Sequence, residues 1–208
     1  MKNNKIGEYL DTLFPQPKCE LLYQKDYELL MAIVLSAQST DKRVNMVTPI
    51  IFHKYPSLEA LKEAPLEDLE DIIHPVGSFR KKAFYIKGIA EILVNSYDGI
   101  VPKNREVLMS FPGVGRKSAN VFLSEYYDIP AIAVDTHVER VSKRLGMASW
   151  DDDVLKVEEK LMQIFPKKEW GKRHLQMVLF GRYYCKAIKP KCSTCLLQDV
   201  CSRDKKND

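Results

Sequence analysis

Four cysteines fall within 17 residues near the end of the chain, Cys185, Cys192, Cys195 and Cys201, spaced C-x6-C-x2-C-x5-C. Four thiolates this close can wrap one tetrahedral metal ion or one cubane cluster. Zinc sites made of four cysteines usually come as two C-x2-C knuckles, and only Cys192 and Cys195 form such a pair. Thiol chemistry therefore leaves zinc and an iron–sulfur cluster both open. Disulfides are not the expected state of such a cluster in an intracellular chain. Cys19 stands apart and reads as an ordinary thiol. Two more residues could do chemistry. Lys117 follows the turn Phe111-Pro112-Gly113-Val114-Gly115-Arg116. Asp135 opens the run Asp135-Thr136-His137-Val138. A lysine amine attacks carbon only when neutral, and a free lysine titrates near about 10.4. A first-turn position at the positive end of a helix dipole, with Arg116 alongside, favours the neutral amine; a carboxylate or a phosphate nearby favours the ammonium. Each residue also has a plainer use. A lysine after a glycine-rich turn makes a good phosphate contact, and an aspartate before a helix makes a good N-cap. His137, two residues from that aspartate, completes no catalytic pair and reads as structural or as a nucleic-acid contact.

The elements that hold these residues read as helices throughout. Ile6, Tyr9, Leu10, Leu13 and Phe14 have helical spacing, and Pro15 and Pro17 stop that helix. Asp26 is placed to cap a helix whose run Leu29–Leu35 is apolar on every face, as in a fully buried helix. Thr40 and Asp41 fit the cap of the next one, carrying Val44, Val47, Ile50 and Ile51. Short helices follow from Ser57 and Pro65, then a turn, His74-Pro75-Val76-Gly77-Ser78-Phe79, before a helix through Ala83–Asn95. Arg105–Met109 and the stretch after Gly115 are helices joined by the glycine-rich turn, whose free N–H groups suit an anion. Further helices are expected from Asp135, from Val154 and from about Lys172. No alternating strand pattern of useful length occurs, so the fold class is all-α.

Charge and length narrow the function classes. The chain has 208 residues and a net charge of +4. Residues 182–208 hold seven cations and three anions, and residues 101–120 hold four cations and one anion. Positive charge thus gathers at the turn and at the tail, which suits a phosphate-binding face. No run approaches the roughly 20 apolar residues that span a bilayer, so no membrane partner is expected. The segment MKNNKIGEYLD has no apolar core of signal-peptide length, and the expected location is the cytoplasm, nucleoid-associated in a bacterium.

Three segments and the cysteines together resemble the endonuclease III family of helix–hairpin–helix DNA glycosylases: Leu35-Ser36-Ala37-Gln38-Ser39-Thr40-Asp41, Phe111–Asn120, Val134-Asp135-Thr136-His137, and the C-x6-C-x2-C-x5-C run. They fall in the family's order over nearly the whole chain. The resemblance implies a 4Fe–4S cluster on Cys185, Cys192, Cys195 and Cys201. It implies a two-lobed fold with DNA in the cleft: a helical lobe over residues 21–130 containing the helix–hairpin–helix (about 103–125), and an iron–sulfur lobe joining residues 1–20 to 131–208. It makes Lys117 the nucleophile that forms a Schiff base with sugar C1′ and Asp135 the assisting carboxylate. Gly113, Val114, Gly115 and Arg116 would hold the DNA backbone, with Lys189 and Lys191 of the cysteine loop as further phosphate contacts. Gln38 would enter the stack where the damaged nucleotide has left. The wedge loop usually carries a bulky aliphatic residue after its glycine. Here Ser78 stands there, which leaves two readings open: the wedge role passes to Phe79, or Phe79 is a core residue. Glu139 departs likewise from a frequent aromatic. The expected partner is double-stranded DNA bearing a damaged base or an abasic site, bound by a monomer. The expected activity is excision of oxidised pyrimidines followed by β-elimination at the abasic site. The alternatives are a related mismatch or adenine glycosylase, whose members typically lack the lysine, and a non-catalytic, redox-sensing DNA-binding module.

Overall fold

The computed structural model describes residues 2–202; the tail residues Arg203, Asp204, Lys205, Lys206 and Asp208, counted above for charge, lie outside them. The described residues form eleven α-helices and no strand: α1 (Lys2–Leu13), α2 (Asp26–Ser36), α3 (Asp41–Lys54), α4 (Leu58–Glu63), α5 (Leu66–Ile73), α6 (Phe79–Ser96), α7 (Arg105–Met109), α8 (Arg116–Tyr127), α9 (Thr136–Arg144), α10 (Val154–Ile164) and α11 (Trp170–Tyr183). They divide into two compact units. One is Glu20–Tyr127; the other joins the N-terminal segment through Cys19 to the chain from Asp128 onward.

In the first unit α2 is the axle. Every residue from Tyr27 to Leu35 is buried, with α3, α6 and α8 packed around it. Burying a large apolar side chain contributes about 1.5–3 kcal/mol. Leu29, Leu30, Met31, Ile33 and Leu35, at most 2 % exposed, therefore contribute on the order of 10 kcal/mol before the entropy of ordering is subtracted. Asp26 is not the cap of α2. The cap is Lys25, and Glu28 Oε2 reaches back to accept from the Gln24 and Lys25 N–H groups at 2.7 and 3.3 Å. Asp26, one residue inside, instead accepts from the Val101 N–H at 2.8 Å and fixes the chain entering α7. Thr40 caps α3, its hydroxyl accepting from Arg43 N–H.

In the second unit α9 and α1 both pack on α11, and α10 packs on α9. Their shared core contains Ile6 and Leu10 of α1, Val138 and Val141 of α9, Leu161 of α10, and Met177 and Phe180 of α11. A buried guanidinium stitches the N-terminal helix in. Arg173 donates to Gly7 O at 2.9 Å, Asp11 Oδ2 at 3.0 Å and Glu169 Oε2 at 2.8 Å, while Gln176 donates to Asp11 Oδ1 at 3.0 Å.

Candidate functional site

The turn between α7 and α8 is anchored at both ends by apolar side chains. Phe111 and Val114 are buried, and the Val114 N–H donates to Phe111 O at 3.1 Å. Gly113 has φ +74°, and a Cβ there would lie 2.4 Å from Cδ2 of Tyr85 on α6. Only glycine meets both demands. Gly115 is different: a Cβ there would meet nothing within 4 Å. Its carbonyl accepts from Ala119 N–H at 2.9 Å, which starts α8. The Gly113 and Gly115 N–H groups find no acceptor among the described residues. Open amides thus sit at the positive end of a 12-residue helix, an arrangement suited to a phosphate. Lys117 stands in the first turn of α8, exposed and with no hydrogen-bond partner among the described residues. Arg116 beside it is half-buried.

Two loops of the same unit lie side by side. Gln38 follows α2 with φ +55°, its side chain exposed and bonded to nothing described. Ser78 precedes α6 with φ +58° and is exposed. The Gly77 N–H donates to Ser39 Oγ at 3.0 Å, tying one loop to the other. Phe79 lies half-buried against the His74 ring, centroids 4.6 Å apart, with the Arg80 guanidinium 5.1 Å from its own. Of the two, Ser78 is the more exposed.

Asp135 belongs to the second unit. The buried run Ala131–Val134 leads into it, and it caps α9. One carboxylate oxygen, Oδ1, accepts from His137 N–H at 2.9 Å and from Val138 N–H at 2.8 Å. No described residue donates to Oδ2, so the cap leaves half the carboxylate available. His137 is half-buried beside this cap. Burial pushes its pKa down, as do Arg140 and Arg182, against the opposite pull of Asp135 and a hydrogen bond to the Gly181 backbone. Its Nδ1 lies 3.3 Å from Arg140 Nη2 and acts as acceptor there.

Arg140 and Arg144, which carry no motif in the sequence, connect that helix to the cysteine segment. Arg140 Nη2 donates to Gly181 O at 2.8 Å and its Nε to Cys185 O at 3.2 Å. Arg144 is buried and donates to Lys186 O at 2.6 Å, Ala187 O at 3.2 Å and Cys185 Sγ at 3.4 Å. The sequence separations exceed 40 residues, so no local pattern could have announced these contacts.

Cys185, Cys192, Cys195 and Cys201 all line one cavity of about 150 Å3, closed by Leu145, Phe180, Tyr184 and Pro190. Each of the four is half-buried, and none is joined to another in a disulfide. Burial raises the Cys195 thiol pKa, and so do the neighbouring Cys185, Cys201 and Cys192. A cationic core would relieve that mutual repulsion, since metal coordination deprotonates a thiol outright. Among the described residues no three histidine, cysteine or acidic groups converge on a single ion. Four thiolates lining one cavity are the ligand set that holds a 4Fe–4S cluster. In the loop between the first two cysteines Lys189 is exposed, in the left-handed region at φ +50°, and Lys191 lies 4.9 Å over the Tyr184 ring.

Residues 31–167 match the HhH-GPD superfamily base excision DNA repair proteins, and residues 185–201 match the iron–sulfur binding domain of endonuclease III. The endonuclease III of Bacillus subtilis is 46 % identical over 205 residues, which are 99 % of this chain and 92 % of that protein. That of Synechocystis is 42 % identical, over 92 % and 88 % of the two chains. Among solved structures, a trapped endonuclease III–DNA covalent intermediate superposes with a TM-score of 0.92 at 48 % identity, covering 96 % of this chain and 95 % of the other. A thermostable thymine-DNA glycosylase, 23 % identical, shares the fold at a TM-score of 0.85 over 97 % of this chain and 95 % of the other.

Proposed function

Since the chain belongs to the endonuclease III family of base excision DNA repair enzymes, we propose that it excises oxidised pyrimidines from double-stranded DNA through Lys117 and cleaves the strand at the resulting abasic site. The enzyme is a DNA N-glycosylase with abasic-site lyase activity and carries a 4Fe–4S cluster. A base inside a duplex cannot be attacked until it is rotated out, at a few kcal/mol of lost stacking. The open amides of Gly113 and Gly115, with Val114 and Arg116 framing them, hold the phosphate backbone of the strained DNA, and Lys189 and Lys191 add contacts to it. Gln38 fills the gap left in the stack, and Ser78 and Phe79 form the neighbouring wedge loop.

The Lys117 Nζ lone pair attacks C1′ as the glycosidic C–N bond breaks, and the base leaves with the bonding pair and gains a proton. Asp135, through its Oδ2, offsets the positive charge that develops on the sugar and assists transfer of the amine proton. Ring opening gives the imine between Nζ and C1′. Loss of a proton from C2′ then expels the phosphate at C3′, which is the β-elimination. Water hydrolyses the imine and frees the lysine. Cys185, Cys192, Cys195 and Cys201 would hold the cluster. Its contribution when bound is to cross-link the C-terminal segment and fix the loop that carries Lys189 and Lys191. The protein acts as a monomer where chromosomal DNA is found, and among the described residues no helix is long and apolar enough to cross a membrane.

The observation that carries this reading is Lys117 itself: an unpaired, exposed amine one turn from open backbone amides. Borohydride reduction in the presence of abasic-site duplex should trap a covalent protein–DNA complex, and Lys117→Gln should abolish it. No complex with the unmodified protein would refute the lyase reading. Trapping that survives the substitution would move the nucleophile elsewhere.

A further inference from the structure

Lys82 is 4 % exposed, and among the described residues no carboxylate is paired with it. Its Nζ donates to Leu35 O at 2.8 Å and to Ala37 O at 2.6 Å, the carbonyls that end α2 directly before Gln38. Desolvation lowers its pKa. A buried amine is costly unless its donors are satisfied, and an apolar side chain of the same length would fill the space without that penalty. Packing alone therefore does not call for a lysine. What the amine adds is a grip on the backbone from which Gln38 projects. One residue beyond Gln38, Ser39 Oγ accepts from Gly77 N–H, the residue before Ser78. Gln38 and Ser78, both held at positive φ, are thus fastened to each other's loops on either side.

The helix that carries Lys82 continues to the phosphate-binding turn. One turn on, the Tyr85 ring packs on Gly113, and at Gly88 the helix approaches Pro112 so closely that a Cβ would lie 3.0 Å from its Cγ. Lys82, Tyr85 and Gly88 recur at three-residue intervals, so they lie along one side of α6. The rise from Lys82 to Gly88 is about 9 Å. On the reading of the turn and of Gln38 given above, we infer that α6 is a rigid spacer between the turn that grips phosphate and the loops that occupy the stack, and that Lys82 is a positioning residue on which gap filling, but not phosphate grip, depends.

The test uses the cluster-loaded protein and a duplex carrying a tetrahydrofuran abasic analogue opposite 2-aminopurine, whose fluorescence reports stacking at the gap. Lys82→Met should bind this duplex within about threefold of the unmodified protein, since the phosphate contacts remain. Its 2-aminopurine response should be largely lost, and excision of an oxidised pyrimidine should fall on the order of tenfold to a hundredfold, as losing a buried hydrogen-bonded contact predicts. Ser39→Ala, which removes only the second fastening, should shift both readouts in the same sense and by less; it carries the test if Lys82→Met does not fold. A full fluorescence response in the variants, or affinity lost in step with it, overturns the inference. So does absence of a response in the unmodified protein. If the unmodified protein responds but excises nothing, the glycosylase reading fails and the fluorescence comparison still decides the role of Lys82.

Discussion

The two glycines of the turn between α7 and α8 should fail in different ways when each is replaced by alanine. At Gly113 the backbone is left-handed, φ +74°, and the added Cβ would sit 2.4 Å from Cδ2 and 2.9 Å from Cγ of Tyr85. The first conflict costs about 1–2 kcal/mol. The second forces the root of an aromatic ring aside, an overpacking of about 1–3 kcal/mol. Together they amount to about 2–5 kcal/mol, which at about 2–4 °C per kcal/mol lowers Tm by roughly 4–20 °C. At Gly115 the Cβ meets nothing within 4 Å, so Tm should stay within about 1–2 °C. The methyl would instead stand where a phosphate approaches the amides and should weaken binding to an abasic-analogue duplex on the order of tenfold. Calorimetry of the cluster-loaded proteins and a fluorescence titration separate the two. Adding Tyr85→Ala should cancel the steric share of the Gly113→Ala penalty and leave the left-handed share, a positive coupling in a double-mutant cycle. Equal Tm losses at the two positions, or no recovery in the double variant, would refute the claim that Tyr85 and φ dictate glycine at position 113.

The other predictions concern the second unit. Asp135→Asn keeps an N-cap acceptor and should leave stability within a few tenths of a kcal/mol while sharply slowing excision; Asp135→Ala should add a loss of about 0.5–2 kcal/mol in chemical denaturation. Equal stabilities for the two variants would argue that the cap seen at Oδ1 carries no energy. Burial would push the Asp11 carboxyl up, but hydrogen bonds from Lys172, Gln176 and Arg173 hold it well below the usual carboxylate range. The folded state therefore binds the Asp11 proton less readily than the unfolded chain. Its stabilising contribution is complete above the unfolded value of about 3.9 and fades as pH falls towards the lower folded value. Asp11→Asn should accordingly flatten the acid side of the Tm–pH curve below about pH 4 and lower Tm at neutral pH; an unchanged acid limb would remove Asp11 from the linkage. Cys192→Ala should strip or destabilise the cluster, read as lost visible absorbance and iron content together, whereas Cys19→Ala should leave both intact.

Residue type and spacing were enough to nominate the residues proposed for the chemistry. Lys117, Asp135 and the four cysteines stand in short motifs, each set in local geometry: a turn that needs glycine, a helix N-cap, a loop whose thiols line one cavity. The helices were legible for the same reason, since apolar periodicity is a local property. The devices that hold the motifs were not. Lys82 looks like any of the cations in Arg80-Lys81-Lys82, yet its neighbours on that run are exposed and it is buried against carbonyls 45 and 47 residues away. Arg140 and Arg144 carry no motif, yet each ties α9 to the backbone carbonyl of Cys185. Aspartate suits caps, but here Glu28 reaches the N–H groups before α2 and Asp26 reaches Val101 instead.

Backbone strain was also hidden, and where it falls is informative. Five described residues other than glycine have positive φ: Gln38, Ser78, Asp98, Asp128 and Lys189. Aspartate visits this region readily, because its short side chain bonds to nearby backbone, so Asp98 and Asp128 at helix ends need no further reason. Glutamine, serine and lysine gain no such help, and holding each there costs of order 1–3 kcal/mol. Those three are Gln38, Ser78 of the neighbouring loop, and an exposed cation in the cysteine loop, all in segments assigned here to DNA. Neutral loops would relax to ordinary φ unless their surroundings forbade it. For Gln38 and Ser78 the restraint is visible in the Lys82 and Ser39 hydrogen bonds. For Lys189 it is a loop bounded by Cys185 and Cys192, which the cluster would close.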